Sequence, residues 1–324
     1  MRALGRHRTI LLAYAGMLVL LLLTSLVSPG FLSASHLRSL TVLAAFTGIV
    51  ALGQTLVIIG GGIDLSVPWV LNSAAVLVTL MAGGKNGPLL YAVPLVLAGG
   101  ALVGALNGVG IALLGVPPII MTLGVNVILQ GAILVYTGGA PTATTPPAIQ
   151  ALAVGHLGPV PTILIIWAVL AALVSVLLSR TAFGRYLYAI GTSVTVADYS
   201  GVPTLRTVVI TYMLSGITAA LAGMLLTGYT AQAYLGMGDP YLFTSIAAVA
   251  IGGAAITGGT GHYVGTIAGA LVLTILTGLL PALNLSNGAL LVVYGLVILV
   301  TVSLGSDVLA ELAGRVGRRQ AGST

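Results

Sequence analysis

The chain contains no cysteine and very little charge. Without thiols, disulfides and thiolate metal sites are excluded. Its four histidines, His7, His36, His156 and His262, are scattered, and no pair has metal-ligand spacing. Charged residues are 5% of 324, where soluble domains average about 25%. Such a chain cannot cover its surface in water. It also lacks the Gly-x-x-x-x-Gly-Lys-Ser/Thr pattern, so it does not bind ATP through a P-loop. The net charge is +6, but the basic residues form no stripe with aromatics, so no nucleic-acid partner is expected.

What the chain does have is apolar length. Hydrophobic residues reach 58% and mean hydropathy is +1.16. Windows of about 19 residues place ten membrane spans, near 10–27, 39–59, 65–82, 89–114, 118–137, 160–178, 207–229, 242–258, 264–280 and 288–304. The second and third could be one broken unit. Spans of this length cross about 30 Å of hydrocarbon. With the N-terminus inside, the cytoplasmic segments hold Arg2, Arg6, Arg8, Arg180, Arg185, Arg206, Arg315, Arg318 and Arg319, against Arg38 and Lys85 outside. The positive-inside rule therefore puts both termini in the cytoplasm. The expected fold is all-α, a multi-pass protein of the cytoplasmic membrane built as one transmembrane domain over 1–324, with a cytoplasmic loop at 179–206 and a basic tail at 305–324. The first span could instead be a secretory signal, but its apolar core is long and no clean Ala-x-Ala site follows.

Five residues are acidic, and Asp64 stands within Gly60-Gly61-Gly62-Ile63-Asp64-Leu65-Ser66-Val67-Pro68, between two apolar spans. A carboxylate in hydrocarbon costs about 2.5–3.5 kcal/mol on insertion scales, so it faces a polar cavity or a partner. The glycines and proline weaken the helix there, and non-helical backbone at membrane depth is tolerated only when buried or lining water. Asp64 either caps the helix starting at Leu65-Ser66-Val67 or contacts solute, and the two roles are compatible. Gln54, Asn72, Asn107, Asn126 and Gln130 are the other strongly hydrogen-bonding side chains in the spans. With Asp64 and Ser66 they are the candidate pathway residues, amides being suited to hydroxylated solutes. Their alternative role is joining helices. Asn126 and Gln130 share a helix face and are the better pathway pair. Gly104-x-x-x-Gly108 and Gly265-x-x-x-Gly269 have the spacing for close helix packing. Tyr91, Tyr229, Tyr234 and Tyr241 suit the outer interface, and Trp69 and Trp167 need no functional role. Gly61-Gly62 through Val67 is echoed by Gly258-Gly259 through Val264, a match that chance explains equally well in Gly-rich sequence.

Outside the bilayer little chain remains. The loop at 138–159 has four prolines and no charge. On the inside, Thr192 or Ser193 can cap a short helix running to Tyr199 and ended by Gly201 and Pro203. Such a helix makes sense as a contact for another protein, or else the segment is a solvated linker.

Several blocks together resemble the permease subunits of bacterial ABC importers for ribose, xylose and related monosaccharides. They are Ala51-Leu52-Gly53-Gln54-Thr55-Leu56-Val57-Ile58 with Gly61 to Val67; Gly104 to Gly108 with Pro118 to Gly124; Phe183-Gly184-Arg185, Ala189-Ile190-Gly191 and Ser200-Gly201-Val202; Ser215-Gly216 with Ala222-Gly223; and Ile246 to Gly253. The likeness runs from about 40 to 304. It implies two permease subunits, homodimeric or a paralogous pair, two cytoplasmic ATPase subunits, and an extracytoplasmic sugar-binding protein. It also implies that Val196, Ala197, Asp198, Tyr199, Ser200 and Gly201 couple to the ATPase, and that ATP and Mg²⁺ belong to that partner, leaving this chain no cofactor and no catalytic residue. The sequence departs from the resembled pattern at Asp198, where a basic residue is common, at Leu242 and Thr244, where acids are frequent, and at Pro68, usually Gly.

Other classes fit less well. An ion-coupled transporter needs carboxylates in the spans, where Asp64 is nearly alone. An intramembrane protease needs a second carboxylate or a Ser–His pair. The same importer architecture could carry a nucleoside, an autoinducer or a branched-chain amino acid. An amino-acid carboxylate would want a buried cation, which the spans lack, so an uncharged sugar is preferred.

Overall fold

The computed structural model describes residues 2–28, 30–141 and 143–282, and within the tenth expected span only residues 288–289, 291–296 and 299. The tail at 305–324 lies outside the described residues. Twelve helices are described: α1 Arg2–Val27, α2 Ala34–Ile59, α3 Val67–Ala82, α4 Leu89–Ala112, α5 Pro118–Thr137, α6 Pro147–Val154, α7 Thr162–Arg180, α8 Ala182–Thr192, α9 Val194–Tyr199, α10 Thr204–Thr230, α11 Pro240–Ile251 and α12 Tyr263–Ala282. A two-residue hairpin, β1 His156–Leu157 with β2 Val160–Pro161, closes the outer loop. Six helices are long and apolar enough to cross a membrane, and α3, α11 and α12 add shorter apolar segments. The protein is an all-α, multi-pass membrane protein.

The bundle is organised around α2 and α10. Nearly every side chain of α2 from Ala44 to Ile59 is buried, and α10 is buried along most of its outer two-thirds. Small residues bring the backbones together: a methyl group at Gly108 would lie 2.6 Å from the Val209 Cα, and one at Gly265 would meet the Gly252 backbone. Both small-xxx-small pairs thus sit at close helix crossings. Trp167 on α7 donates to the Tyr263 hydroxyl at 2.6 Å, and that hydroxyl donates to the Gly48 carbonyl at 2.8 Å, tying α7, α12 and α2 together. The periphery is apolar and open. On α4 and α5, Leu90, Leu102, Ile120, Ile128 and Val135 are exposed, as lipid-facing residues are.

Two elements differ from the expected spans. The third span begins at Val67 rather than 65, because Gly60–Ser66 is non-helical. The eighth, expected over 242–258, is a helix only over Pro240–Ile251. Twelve residues rise about 18 Å, too little to cross alone. Glycines at 252, 253, 258, 259 and 261 end it, four of them at positive φ. The two breaks meet. Gly259 N donates to the Ile59 carbonyl at 2.9 Å, and a methyl group at Gly258 would lie 2.7 Å from the Gly61 Cα and 2.8 Å from the Gly191 oxygen. The sequence echo between Gly61-Gly62 and Gly258-Gly259 is therefore a contact in space.

The segment between α10 and α11, expected outside the bilayer, folds inward. It leaves the outer end of α10 through Ala231, in the left-handed region at φ 62°, with Thr145 N bonded to the Ala231 carbonyl at 3.1 Å. It then runs down α3: the Tyr234 carbonyl accepts from Asn72 Nδ2 at 2.9 Å, and Gly238 is pressed against the Pro68 backbone. Pro68 to Ala82 is about 21 Å of helix rise. The turn at Gly236–Asp239 thus reaches deep into a bilayer about 30 Å thick.

Candidate translocation and coupling sites

Asp64 is 2% exposed and sits at the hub of the α2–α3 break. Oδ1 accepts from Ser66 N at 3.0 Å and Ser66 Oγ at 2.6 Å, and Oδ2 accepts from Ser215 Oγ at 2.7 Å. Ser66 Oγ in turn accepts from Asn107 Nδ2 at 2.9 Å. Thr122 Oγ1 accepts from Leu65 N at 3.0 Å. One carboxylate thereby ties α3 to α10 directly and to α4 through Ser66, while the neighbouring residue reaches α5. The backbone N–H of Ser66 is capped by Asp64, since the Ser66 side chain makes no cap of its own.

The candidate pathway residues separate into two groups. Asp64, Ser66, Gln54, Asn72 and Asn107 are all inside the subunit, between 0 and 2% exposed. Both side-chain polar atoms of Gln54, and the Oδ1 atoms of Asn72 and Asn107, have no hydrogen-bond partner among the described residues. Asn126 and Gln130 are half-buried on α5, where Asn126 Oδ1 accepts from Trp69 N at 3.4 Å. Sequence reasoning missed Ser215 as Asp64's partner, 151 residues away. It also missed Tyr212, one turn earlier on the same face of α10. The Tyr212 hydroxyl is buried, has no hydrogen-bond partner among the described residues, and packs against Gly62 so closely that a methyl group there would collide with it.

In the 179–206 loop the expected short helix forms as α9. Ser193, not Thr192, is its cap, with Oγ accepting from Val196 N at 3.3 Å. Ala197 is buried against the bundle, while Val196, Asp198, Tyr199, Ser200 and Gly201 are exposed. Asp198 Oδ1 accepts from Thr204 Oγ1 at 3.0 Å, fastening α9 to the first residue of α10. Gly201, at φ 76°, makes the reversal. At the other end, α8 delivers Gly191 onto the Ile59 carbonyl, so the α8–α9 unit rests on the α2–α3 break. A cleft of about 370 Å³ separates this unit from the α4–α5 turn, lined by Val57, Val116, Pro118, Ile190, Val194 and Val208 among others. Among the described residues, no three His, Cys, Asp or Glu side chains come together.

The family model described as "Branched-chain amino acid transport system / permease component" matches residues 36–302. The ribose import permease protein RbsC of Bacillus subtilis is 38% identical over 90% of this chain and 91% of its own length. RbsC of Escherichia coli K12 is 34% identical over 88% and 90%. The autoinducer 2 import system permease protein LsrD of Yersinia enterocolitica is 38% identical over 68% of each chain. No solved structure matches. These relatives are named as transport permeases, not enzymes. The chain belongs to this family of ABC-importer permease components, as a multi-pass protein of the inner membrane.

Proposed function

We propose that this subunit is the membrane conduit of an ATP-driven importer for a monosaccharide of the ribose or xylose class. In this reading it works with a second permease, equal or paralogous, an extracytoplasmic sugar-binding protein and a cytoplasmic ATPase that holds ATP and Mg²⁺. The observation that carries it is α9. A six-residue helix exposes Val194 at 56%, Val196 at 63% and Tyr199 at 89%, yet is fixed at both ends to the bundle. Exposed apolar side chains on a cytoplasmic helix fit insertion into a partner's cleft. Through Ala197, Gly191 and Thr204 a push on α9 reaches the α2–α3 break and α10.

An uncharged polyol suits the spans better than an amino acid. Among the described residues, Arg38, Lys85, Arg180, Arg185 and Arg206 are all exposed and near helix ends or in loops, leaving no buried cation for a carboxylate. The LsrD likeness keeps an autoinducer as the alternative cargo. Of the candidate pathway residues, Asn126 and Gln130 are those on the subunit's surface, and we assign them to the conduit. The test is co-reconstitution with the ATPase and binding protein. Ribose accumulation should require ATP, and Asp198→Arg should abolish uptake while leaving the assembled complex thermally unchanged. Accumulation without any ATPase would overturn the reading.

A further inference from the structure

Asp239 occupies a position that an isolated carboxylate does not tolerate in lipid. It follows Gly238, whose backbone is pressed on Pro68 at the inner end of α3, about 21 Å of rise below the outer end of that helix. At this depth it is nevertheless exposed. An exposed charge near the bilayer centre costs several kcal/mol unless it faces water, so this face of the subunit borders a water-filled space. The turn that presents it is specific. Asp239 N donates to the Gly236 carbonyl at 3.0 Å, Gly236 is at φ 80°, and the Trp69 indole lies near the carboxylate. Trp69 also joins Asp239 to α5, because its backbone N–H donates to Asn126 Oδ1. Gln130 follows Asn126 one turn further along. The carboxylate and the indole therefore lie together where α3 meets the inward fold, and the Trp69 backbone links them to Asn126 on α5.

We infer that Asp239, with Asn126 and Gln130, is the part of the conduit that contacts the solute, pairing with the hydroxyl groups of an uncharged polyol. A carboxylate accepts from two neighbouring hydroxyls, and amides both donate and accept. This rests on the import reading above and gives it a place in the fold. It also moves the contact away from Asp64, whose carboxylate already accepts three hydrogen bonds.

The absence of cysteine allows a direct test, since Asp239→Cys, Asn126→Cys and Ser66→Cys each introduce the sole thiol of this chain. In vesicles carrying the whole importer, a membrane-impermeant thiol reagent added outside should modify the variants at 239 and 126. It should spare the one at buried 66, and ribose should slow the reaction at 239. No modification at 239, with nucleotide present or absent, overturns the inference. Asp239→Asn should lower uptake about tenfold, the scale of one charge-assisted hydrogen bond, with ATP hydrolysis and assembly retained, and Asp239→Glu should recover part of it. Unchanged uptake per assembled complex in Asp239→Asn, even with altered thermal stability, also overturns it. Should wild-type importer fail to accumulate ribose, the import reading fails instead, while labelling at 239 still decides whether the water-filled face exists.

Discussion

Two breaks in the helical bundle each carry a carboxylate, and they are built in opposite ways. At Gly60–Ser66 the chain is closed over Asp64, and every oxygen of that side chain has a hydroxyl or amide donor within 3.0 Å. At 231–239 the chain folds in from outside and leaves Asp239 exposed. The first break uses its charge to hold helices together, because buried donors and acceptors cost free energy when left unpaired. The second leaves its carboxylate exposed at similar depth, where an ionised group calls for a polar cavity or a partner. A carboxylate in a membrane span is thus informative only once its partners are counted.

The sharpest way to break this comparison is Asp64→Ala. It leaves Ser66 N, Ser66 Oγ and Ser215 Oγ without an acceptor in the protein interior, at about 1–3 kcal/mol for each group that stays unpaired. A loss of about 3 kcal/mol or more is expected, read as a collapse in membrane yield or a large fall in the melting temperature of the purified permease. Asp64→Asn keeps one oxygen and should retain the fold. An alanine variant that melts with the wild type would remove the hub.

Next in size is Gly258→Ala, which acts on the contact between the two glycine breaks. Gly258 has φ 94° and its Cβ would sit 2.7 Å from the Gly61 Cα. Strain and overlap together should cost about 2 kcal/mol. Because Gly191 shares the contact, ATP hydrolysis should also lose its dependence on solute. Melting and solute-stimulated hydrolysis both at wild-type values would show that the breaks are not mechanically joined.

A smaller effect, of opposite sign, is expected from Tyr212→Phe. The hydroxyl is buried with no partner among the described residues, so removing it takes away a desolvated polar group at almost constant shape. Stability should stay level or rise by up to about 1 kcal/mol. A clear fall in melting temperature would mean that this hydroxyl is bonded to Asp64 or its neighbours in the folded protein.

How much of this was open to sequence reading follows from the range of each interaction. Long apolar runs are local, so α2, α4, α5, α7 and α10 lie within a few residues of the expected spans. The Ser193 cap and the end of α9 are equally local. Hydropathy windows average over 231–239, whose Tyr234 and Gly238 contacts with α3 are long-range, so an inward fold read as an external loop. Asp64 stood out because carboxylates are rare in this composition. Its partner Ser215 did not, since nothing in a serine 151 residues away indicates which helix face it shares. The glycine echo was visible, but only close approach of Gly61, Gly191 and Gly258 gives it meaning.

The smallest expected effect on stability is the most discriminating, because it repeats the first substitution at the other break. Asp239→Ala removes a carboxylate of the same chemistry at a comparable depth. Its surroundings differ: the side chain is exposed, and the Trp69 indole lies near it. Asp239 is the N-cap residue of α11, but its side chain makes no capping hydrogen bond. Exposed substitutions that break no such contact usually stay within about 0.5 kcal/mol, so the melting temperature should hardly move. The contrast with Asp64→Ala, measured side by side in the same detergent, separates a charge that builds the fold from one that the fold presents to water. If both alanine variants lose stability equally, Asp239 is a second structural hub, and the conduit must draw its contacts from α5 alone.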